Sequence, residues 1–173
     1  MSQLKLVGQI TPHVEIVDVR LIRMSGRVYP DGDAEIGPKV RLRFSQNSRC
    51  SQVGTELSVA VQFTMRGVQE QDVAKKVVEL SAVFGLSYRL SQEIQLTPEQ
   101  LSAFSKVNAI YNAWPYWREL VQTTIARMGL PRLIVPVFRV ARPRIEKVKS
   151  GDRTDTADRP ERVNKNEPAK KTS

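Results

Sequence analysis

Two segments in the first half of the chain alternate apolar and polar residues with a period of two. Apolar side chains occupy the odd positions of residues 57–65 and the even positions of residues 78–90. A period of two puts these side chains on one face of an extended strand, so each segment predicts a strand with one buried face. We expect the hinge at residues 67–72 to join them into a long antiparallel hairpin.

Two segments further upstream also predict strands. Val40, Leu42 and Phe44 alternate with cationic residues and predict a shorter strand. Residues 14–28 carry apolar side chains at both odd and even positions, which predicts a strand covered on both sides. The proline, glycine and aspartate residues of segment 28–38 predict a loop. Its carboxylates lack the glycine spacing and distal glutamate of a calcium-binding loop, so we assign them to turns and not to a metal site.

After Gln95 the apolar residues change to helical spacing. Thr97, Pro98 and Gln100 supply an N-cap, a first-position proline and the glutamine of a capping box. A first helix is therefore predicted to follow. Its apolar stripe consists of Leu101, Phe104, Val107, Ile110 and Tyr111.

A second helix is predicted to begin at Trp114 or Pro115, because proline is well tolerated at the first helical position. Apolar residues recur at helical spacing up to Met128, and Arg127 and Gly129 are typical of a helix C-terminus. Strands followed by helices, without alternation, indicate an α+β fold. We therefore predict a four-stranded antiparallel sheet followed by two helices packed on one face.

The charge of the chain is unevenly distributed. Residues 1–138 carry 16 Lys and Arg against 12 Asp and Glu, a net of +4, whereas residues 139–173 carry 11 against 6, a net of +5. Since residues 139–173 contain few large apolar side chains, we expect one domain at 1–138 followed by a basic, disordered tail. The N-terminus shows no signal-peptide pattern, and no segment approaches the roughly 20 apolar residues of a spanning helix. We expect a cytoplasmic protein without membrane insertion.

Candidate catalytic groups are few. Cys50 is the single cysteine, and its polar neighbours predict a loop position. His13 is the single histidine, and no motif supplies it with a nucleophile. The chain also lacks the spacings of phosphate loops, zinc sites and nucleophile elbows. We predict a binding protein rather than an enzyme, with no catalytic residue, metal or cofactor.

One segment resembles a known family. The run WPYWRE at 114–119, the GLP at 129–131 and Pro136 resemble the C-terminal helical signature of the SecB family of export chaperones. In that family a Phe-Pro-Tyr-Ala-Arg-Glu run opens the second helix, and a glycine-containing turn and a proline close it before an extended tail. The matching residues are Trp114, Pro115, Tyr116, Arg118, Glu119, Gly129, Leu130, Pro131 and Pro136.

The resemblance implies an ATP-independent holdase that binds unfolded or nascent polypeptides in an apolar groove and assembles as a homotetramer, a dimer of dimers. The client-binding residues that it implies are Tyr29, Ile36, Trp117, Leu120, Leu130, Leu133 and Ile134. Surplus apolar surface on the first strand and first helix predicts the oligomer interface. The candidates for that interface are Val17, Val19, Leu21, Leu101, Phe104, Val107 and Tyr111.

The family's partner in export is the motor SecA. Export-dedicated members are acidic and bind SecA through carboxylates on the outer face of the sheet. Here Arg20 and Arg23 lie on the first strand, and Glu79 is the one carboxylate that matches convincingly. This pattern favours a SecB-like protein with other clients, such as the chaperones that accompany toxin–antitoxin pairs, over an export chaperone that binds SecA.

Two other function classes fit the sequence. A nucleic-acid-binding protein would use the basic tail and the face that carries Lys39, Arg41 and Arg43, although no aromatic stacking platform accompanies these cations. An assembly protein is the other alternative, because an apolar groove and a permanent interface have similar compositions.

Overall fold

The chain folds into a four-stranded antiparallel sheet with helices on one face. The computed structural model describes residues 3–29, 40–70 and 72–138. Its elements are α1 (Gln3–Ile10), β1 (Val14–Val28), β2 (Val40–Val53), β3 (Glu56–Gln69), β4 (Lys76–Leu90), α2 (Pro98–Phe104), a π-helical turn (Ser105–Ala109) and α3 (Ile110–Arg127). The predicted α+β class is confirmed.

The sheet has the strand order β1-β4-β3-β2, so β1 and β2 form its edges. The odd positions of β3 and the even positions of β4 are buried beneath the helices, as their alternation predicted. Helix α2 contacts β2, and α3 contacts β3 and β4. The outer face of the sheet carries mostly polar residues.

The second strand is longer than predicted. It extends to Val53 and pairs with β3 along its whole length, so the loop predicted around Cys50 was wrong. Cys50 lies opposite Val59 within this edge strand. Because an edge strand buries little surface, Ser, Asn, Gln and Arg are tolerated there, and the alternation that marks a strand is weakened.

The predicted hinge also begins later than expected. Strand β3 continues past Gly67 to Gln69, and the turn then closes through bonds that the Lys75 amide donates to the Asp72 carbonyl (3.0 Å) and the Ala74 amide donates to Oδ1 of Asp72 (3.0 Å). The pairing of β3 with β4 shifts in register between Gly67 and Val68.

Two bulges explain the mixed apolar pattern of β1. Its pairing with β4 skips Val17 and Ile22. Each extra residue shifts the alternation by one position, so the helix-covered face passes from Ile16 to Leu21 across the first bulge and to Met24 across the second. The side chain of Ile22 lies on the other face, against Gly85. Apolar residues therefore occur at both odd and even positions of β1, although most of them lie on the helix-covered face.

The boundary between the two predicted helices is different from the prediction. Helix α2 runs through the π-helical turn directly into α3, and Pro115 lies inside α3 rather than at its start. Proline removes one backbone hydrogen bond, but the neighbouring Trp114 and Trp117 rings pack on Phe63 at centroid distances of 5.6 and 5.4 Å. This packing favours continuation of the helix.

The start of α2 is as predicted. The Gln100 amide donates to Oγ1 of Thr97 (3.2 Å), and the Thr97 amide donates to Oε1 of Gln100 (2.9 Å), which completes the capping box. Helix α1 was not predicted. It spans eight residues, of which only Val7 and Ile10 are buried, so its periodic signal is short.

Several predictions lie outside the described residues. They concern the loop around residues 30–38, with Ile36, and the tail at 139–173. The described part of the chain contains no helix that is both long and apolar enough to cross a membrane.

Candidate functional site

The end of α3 forms one side of the candidate site. The Leu130 amide donates to the Ile125 carbonyl (3.2 Å), and the Gly129 amide donates to the Ala126 carbonyl (3.1 Å). These bonds form a Schellman motif, and Gly129 supplies the positive φ of 72° that the motif requires. The chain therefore turns back sharply at Gly129, as its sequence predicted.

The residues that follow, 130–138, return along α3 as an extended segment that we term the strap. Nε1 of Trp114 donates to the Pro136 carbonyl (2.9 Å), and Nε of Arg118 donates to the Val135 carbonyl (3.1 Å). Val135 is fully buried, and Phe138 packs on Trp114 at a centroid distance of 5.4 Å. These contacts attach the C-terminal part of the strap to α3 and leave the first residues of the strap more open to solvent.

An open pocket of about 680 Å³ lies between the last turns of α3 and the start of the strap. Leu130, Leu133 and Ile134 contribute its larger apolar side chains, and Thr123 and Arg132 contribute polar groups. Ile134 is 78% exposed, whereas Leu130 and Leu133 are half-buried. We term this pocket the strap groove. It presents apolar surface to solvent on a backbone that is held in place.

Three of the residues implied for client binding, Leu130, Leu133 and Ile134, line the strap groove. The other described candidates lie elsewhere in the fold. Tyr29 is half-buried after β1, where Arg27 and Lys76 approach its ring, and Leu120 packs on the edge of the core. Trp117 is 1% exposed and stacks on Phe63, so it does not present surface to a client. A Trp in a helical stripe fits either a core or a groove, and its partner Phe63 lies on a distant strand.

The predicted interface residues divide in a similar way. Val17, Leu21 and Tyr111 are 55%, 44% and 60% exposed in the single chain. Val19, Leu101 and Val107 are half-buried. Phe104 is fully buried and meets Tyr88 edge-on at 5.0 Å, so it belongs to this chain's core and not to a surface.

Sequence reasoning missed several exposed apolar residues near these sets. Ile16, Ile22 and Met24 on β1 are 45%, 60% and 41% exposed, and Val137 on the strap is 58% exposed. The two-sided apolar pattern of β1 was the available signal. It did not distinguish the bulged residue Ile22 from the inward residues Ile16 and Met24.

A polar network joins the helices to the sheet. Nδ2 of Asn112 donates to the Tyr88 hydroxyl (3.1 Å) and to Oδ1 of Asn108 (2.8 Å). Burial raises the pKa of Tyr88 to about 12, partly opposed by the Asn112 hydrogen bond. Burial also raises the pKa of the Cys50 thiol to about 11. Both groups are protonated at neutral pH, so the Cys50 thiol is a poor nucleophile.

Side chains that could ligate a metal are scattered over residues 3–29, 40–70 and 72–138. No group of three or more His, Cys, Asp or Glu side chains within these ranges is placed to hold a metal ion.

Comparison with known proteins identifies the fold. The sequence matches no protein-family model and no curated protein sequence. Among solved structures, it is similar to the SecB-like chaperone Rv1957 of Mycobacterium tuberculosis, solved in complex with a ChAD peptide from the Rv1956 HigA1 antitoxin. The TM-score is 0.69 at 18% identity, over 80% of this chain and 99% of that chain.

This chain has a SecB-like fold. A second solved structure, a protein of unknown function from Streptococcus agalactiae, aligns with a TM-score of 0.46 and 12% identity over 71% of this chain and 96% of that chain. That likeness is too weak to support a functional argument. The SecB-like fold is the architecture that the resemblance of residues 114–136 implied.

Proposed function

We propose that this protein is an ATP-independent holdase chaperone that binds unfolded or non-native polypeptides. The observation that supports the proposal most is the exposed apolar surface of the strap groove on a SecB-like fold. Exposed Ile134 and half-buried Leu130 and Leu133 lie along a segment whose backbone is fixed by Trp114 and Arg118. A preformed apolar groove lowers the entropy cost of binding an extended chain.

Client binding in this proposal depends on removal of apolar surface from water. Each Å² of apolar area that a client covers contributes about 25 cal/mol. A few large side chains therefore supply several kcal/mol before the ordering of the client is subtracted. Because the groove's larger contacts are aliphatic, it would select apolar segments without requiring a fixed client sequence, and no nucleotide is needed.

We further propose that the protein acts in the cytoplasm as a homotetramer whose clients include antitoxin-type polypeptides. The M. tuberculosis neighbour was solved with a peptide from an antitoxin, which supports a polypeptide client of this kind. Export through SecA is disfavoured because Arg20 and Arg23 are exposed where the resemblance implies carboxylates. Exposed apolar residues on β1 and α3, including Val17, Leu21 and Tyr111, support an oligomer.

Client capture tests the proposal with a reduced, carboxymethylated model protein that remains unfolded in buffer. We expect the wild-type protein to bind it with micromolar affinity or better and to suppress aggregation of a heat-unfolded protein without ATP. Ile134→Ser should weaken binding about threefold to tenfold, because one large apolar contact is lost. Val53→Ser is the matched control, since Val53 is 80% exposed at the far end of β2.

A second pair of substitutions tests the region that precedes β2. Tyr29→Ser combined with Ile36→Ser should weaken client capture and leave the oligomer intact if this region contributes to the client-binding surface. Failure of the wild-type protein to bind any unfolded polypeptide would refute the holdase proposal.

Nucleic-acid binding remains the competing function, because exposed arginines, among them Arg41 and Arg43, line the outer face of the sheet. Salt separates the two activities. Apolar client capture should persist as salt rises fourfold from about 50 mM, whereas binding through several phosphates falls about 10³-fold or more over that range. A steep salt dependence with duplex or single-stranded DNA, together with no client binding, would favour the nucleic-acid alternative.

A further inference from the structure

The outer face of the sheet carries arginines along both of its edges. Strand pairing aligns outward residues into rows that run across β1, β4, β3 and β2. Each edge strand carries several arginines, and the central strands add Arg66 and Arg89. The exposed arginines at these positions are Arg20, Arg23 and Arg27 on β1 and Arg41, Arg43 and Arg49 on β2.

Few carboxylates oppose these cations. Arg20 pairs with Asp18 at 2.7 Å, Arg41 pairs with Glu70 at 3.5 Å, and Arg66 pairs with Glu79 at 3.2 Å. Over the described parts of the chain, Arg23 and Arg49 have no carboxylate within salt-bridge distance. Their guanidinium groups therefore retain hydrogen-bond donors for an external acceptor.

Glu79 already has two cationic partners. Burial acts to raise the pKa of this carboxyl, but hydrogen bonds from Lys76 and Arg66 outweigh it and hold the pKa below its usual range. The carboxylate is thus committed within the sheet and does not cancel the charge of the edges.

The charge changes sign along the strands. The row of Arg27, Glu79, Arg66 and Arg43 is basic, whereas the row of Glu15, Arg89 and Glu56 at the opposite end has a net negative charge. The basic region extends along the strands from the row of Arg27 and Arg43 to the row of Arg20 and Arg49. An acidic ligand would therefore be directed toward one end of the face rather than spread over all of it.

The centre of the face is shallow and partly apolar. Ala60 and Gly85 lie in its middle, and the side chain of Ile22, which is 60% exposed, covers Gly85. Val83 lies beside them in the next row. The outward positions of the four strands include no aromatic residue in these rows, so the face lacks the stacking platform that single-stranded nucleic acids use.

The dimensions of this face fit a helix. Three strand spacings of about 4.8 Å separate the two edges by roughly 14 Å. The basic stretch from Arg27 to Arg20 measures about 20 Å along the strands. An α-helix is about 10–12 Å wide, and roughly 14 residues span 20 Å. A helix with acidic flanks and an apolar centre would place carboxylates near both edges and apolar side chains on Ile22 and Val83.

We propose that the outer sheet face is a docking surface for an acidic amphipathic helix of a partner protein. The surface is separate from the strap groove, since it lies on the side of the sheet away from the helices. A folded acidic segment would dock there while an unfolded client occupies the groove. A flat face with apolar Ile22 at its centre favours a polypeptide over duplex nucleic acid, whose grooves require a protruding element.

Fluorescence anisotropy with a labelled peptide tests the proposal on the full-length protein. The probe is a 16-residue helical peptide with Glu on both flanks and Leu and Ala along its centre. We expect binding at low salt, and at least tenfold weaker binding when every Glu is replaced by Gln. Arg23→Glu with Arg49→Glu should weaken binding of the Glu peptide at least tenfold. Arg23→Gln with Arg49→Gln removes the two charges without reversing them and should give a smaller loss of affinity. This variant keeps the test valid if the Glu variant fails to fold.

Lys5→Glu with Arg127→Glu is the matched control, because both residues are exposed on helices and the charge change is the same. This variant should bind the Glu peptide within twofold of wild type. Ile22→Ser should weaken binding of the Glu peptide severalfold. Unchanged affinity of this variant would contradict the proposal that the apolar side of the helix packs on Ile22. If the Arg23 and Arg49 variants bound the Glu peptide as tightly as wild type does, the proposal that this face is the docking surface would be wrong.

A 16-base-pair DNA duplex is the competing probe. Tighter binding of the duplex than of the Glu peptide, with the same dependence on Arg23 and Arg49, would overturn the proposal in favour of nucleic acid. Client capture by the strap groove, measured in parallel, should be unchanged by these substitutions. Loss of peptide docking and loss of holdase activity are therefore distinguishable.

Discussion

Gly67 lies where β3 loses its regular pairing with β4, and its neighbours explain why a side chain is excluded there. A Cβ at this position would lie 2.8 Å from Cγ1 of Val78 and 3.1 Å from Cγ1 of Val40. Both neighbours are β-branched, and their χ1 angles have little freedom to yield. One residue thus allows three strands to approach closely beside the register shift.

We expect Gly67→Ala to lower the free energy of unfolding by about 1–3 kcal/mol through overpacking. Urea denaturation followed by far-UV circular dichroism measures the change. Gly8→Ala serves as the control, because a Cβ at this position in α1 would have no atom within 4 Å. That substitution should be neutral or stabilise by up to about 1 kcal/mol. Equal effects at the two positions would contradict the packing argument.

At the scale of elements, α3 and the strap act as one unit. The helix supplies Trp114 and Arg118, and the strap supplies the carbonyl groups of Pro136 and Val135 that accept their hydrogen bonds. Both donors are side chains, so the strap is attached without pairing to the sheet. The position of the strap groove therefore depends on these side-chain contacts, and single substitutions at Trp114 or Arg118 can remove them separately.

We expect Trp114→Phe to weaken the attachment of the strap, because the Pro136 carbonyl loses its indole donor while the aromatic packing is largely kept. The cost is about 1 kcal/mol of local stability. Hydrogen exchange of residues 133–138, read by mass spectrometry, should accelerate severalfold. Tyr116→Phe is the control, since Tyr116 is 49% exposed, and exchange in the strap should be the same as in wild type.

At the scale of the whole molecule, the single chain leaves apolar surface uncovered on β1 and on one side of α3. Ile16, Leu21 and Met24 face the helix side of the sheet yet remain more than 40% exposed. An exposed apolar edge strand tends to associate with another chain. A second copy is the partner that the SecB-like resemblance implies.

We expect a tetramer, with a mass of about four times 19.6 kDa by multi-angle light scattering at micromolar concentration. Val17→Arg with Leu21→Arg should reduce the assembly, because charge at an apolar interface is costly to desolvate. Val53→Arg should leave it intact. Deletion of residues 151–173 should also preserve the number of copies. A wild-type mass near 19.6 kDa would refute the oligomer.

The sequence alone determined the features that depend on local chemistry. Alternation over residues 57–65 and 78–90 fixed which side chains of β3 and β4 face inward, because a strand has a period of two. Thr97 and Gly129 marked the start of the helical region and the end of α3, since caps are formed by neighbouring residues. The WPYWRE run indicated the SecB-like fold that the structural comparison supports.

Tertiary structure decided the features that depend on distant residues. Phe63 packs on Trp114 and Trp117, and this contact buries Trp117 and favours continuation of α3 past Pro115. Tyr88 packs on Phe104 in the same way and holds it in the core. Ile134, an apolar residue of the strap, is 78% exposed instead. Periodicity specifies which side chains share a face, whereas only their partners across the fold determine whether that face becomes core or binding surface.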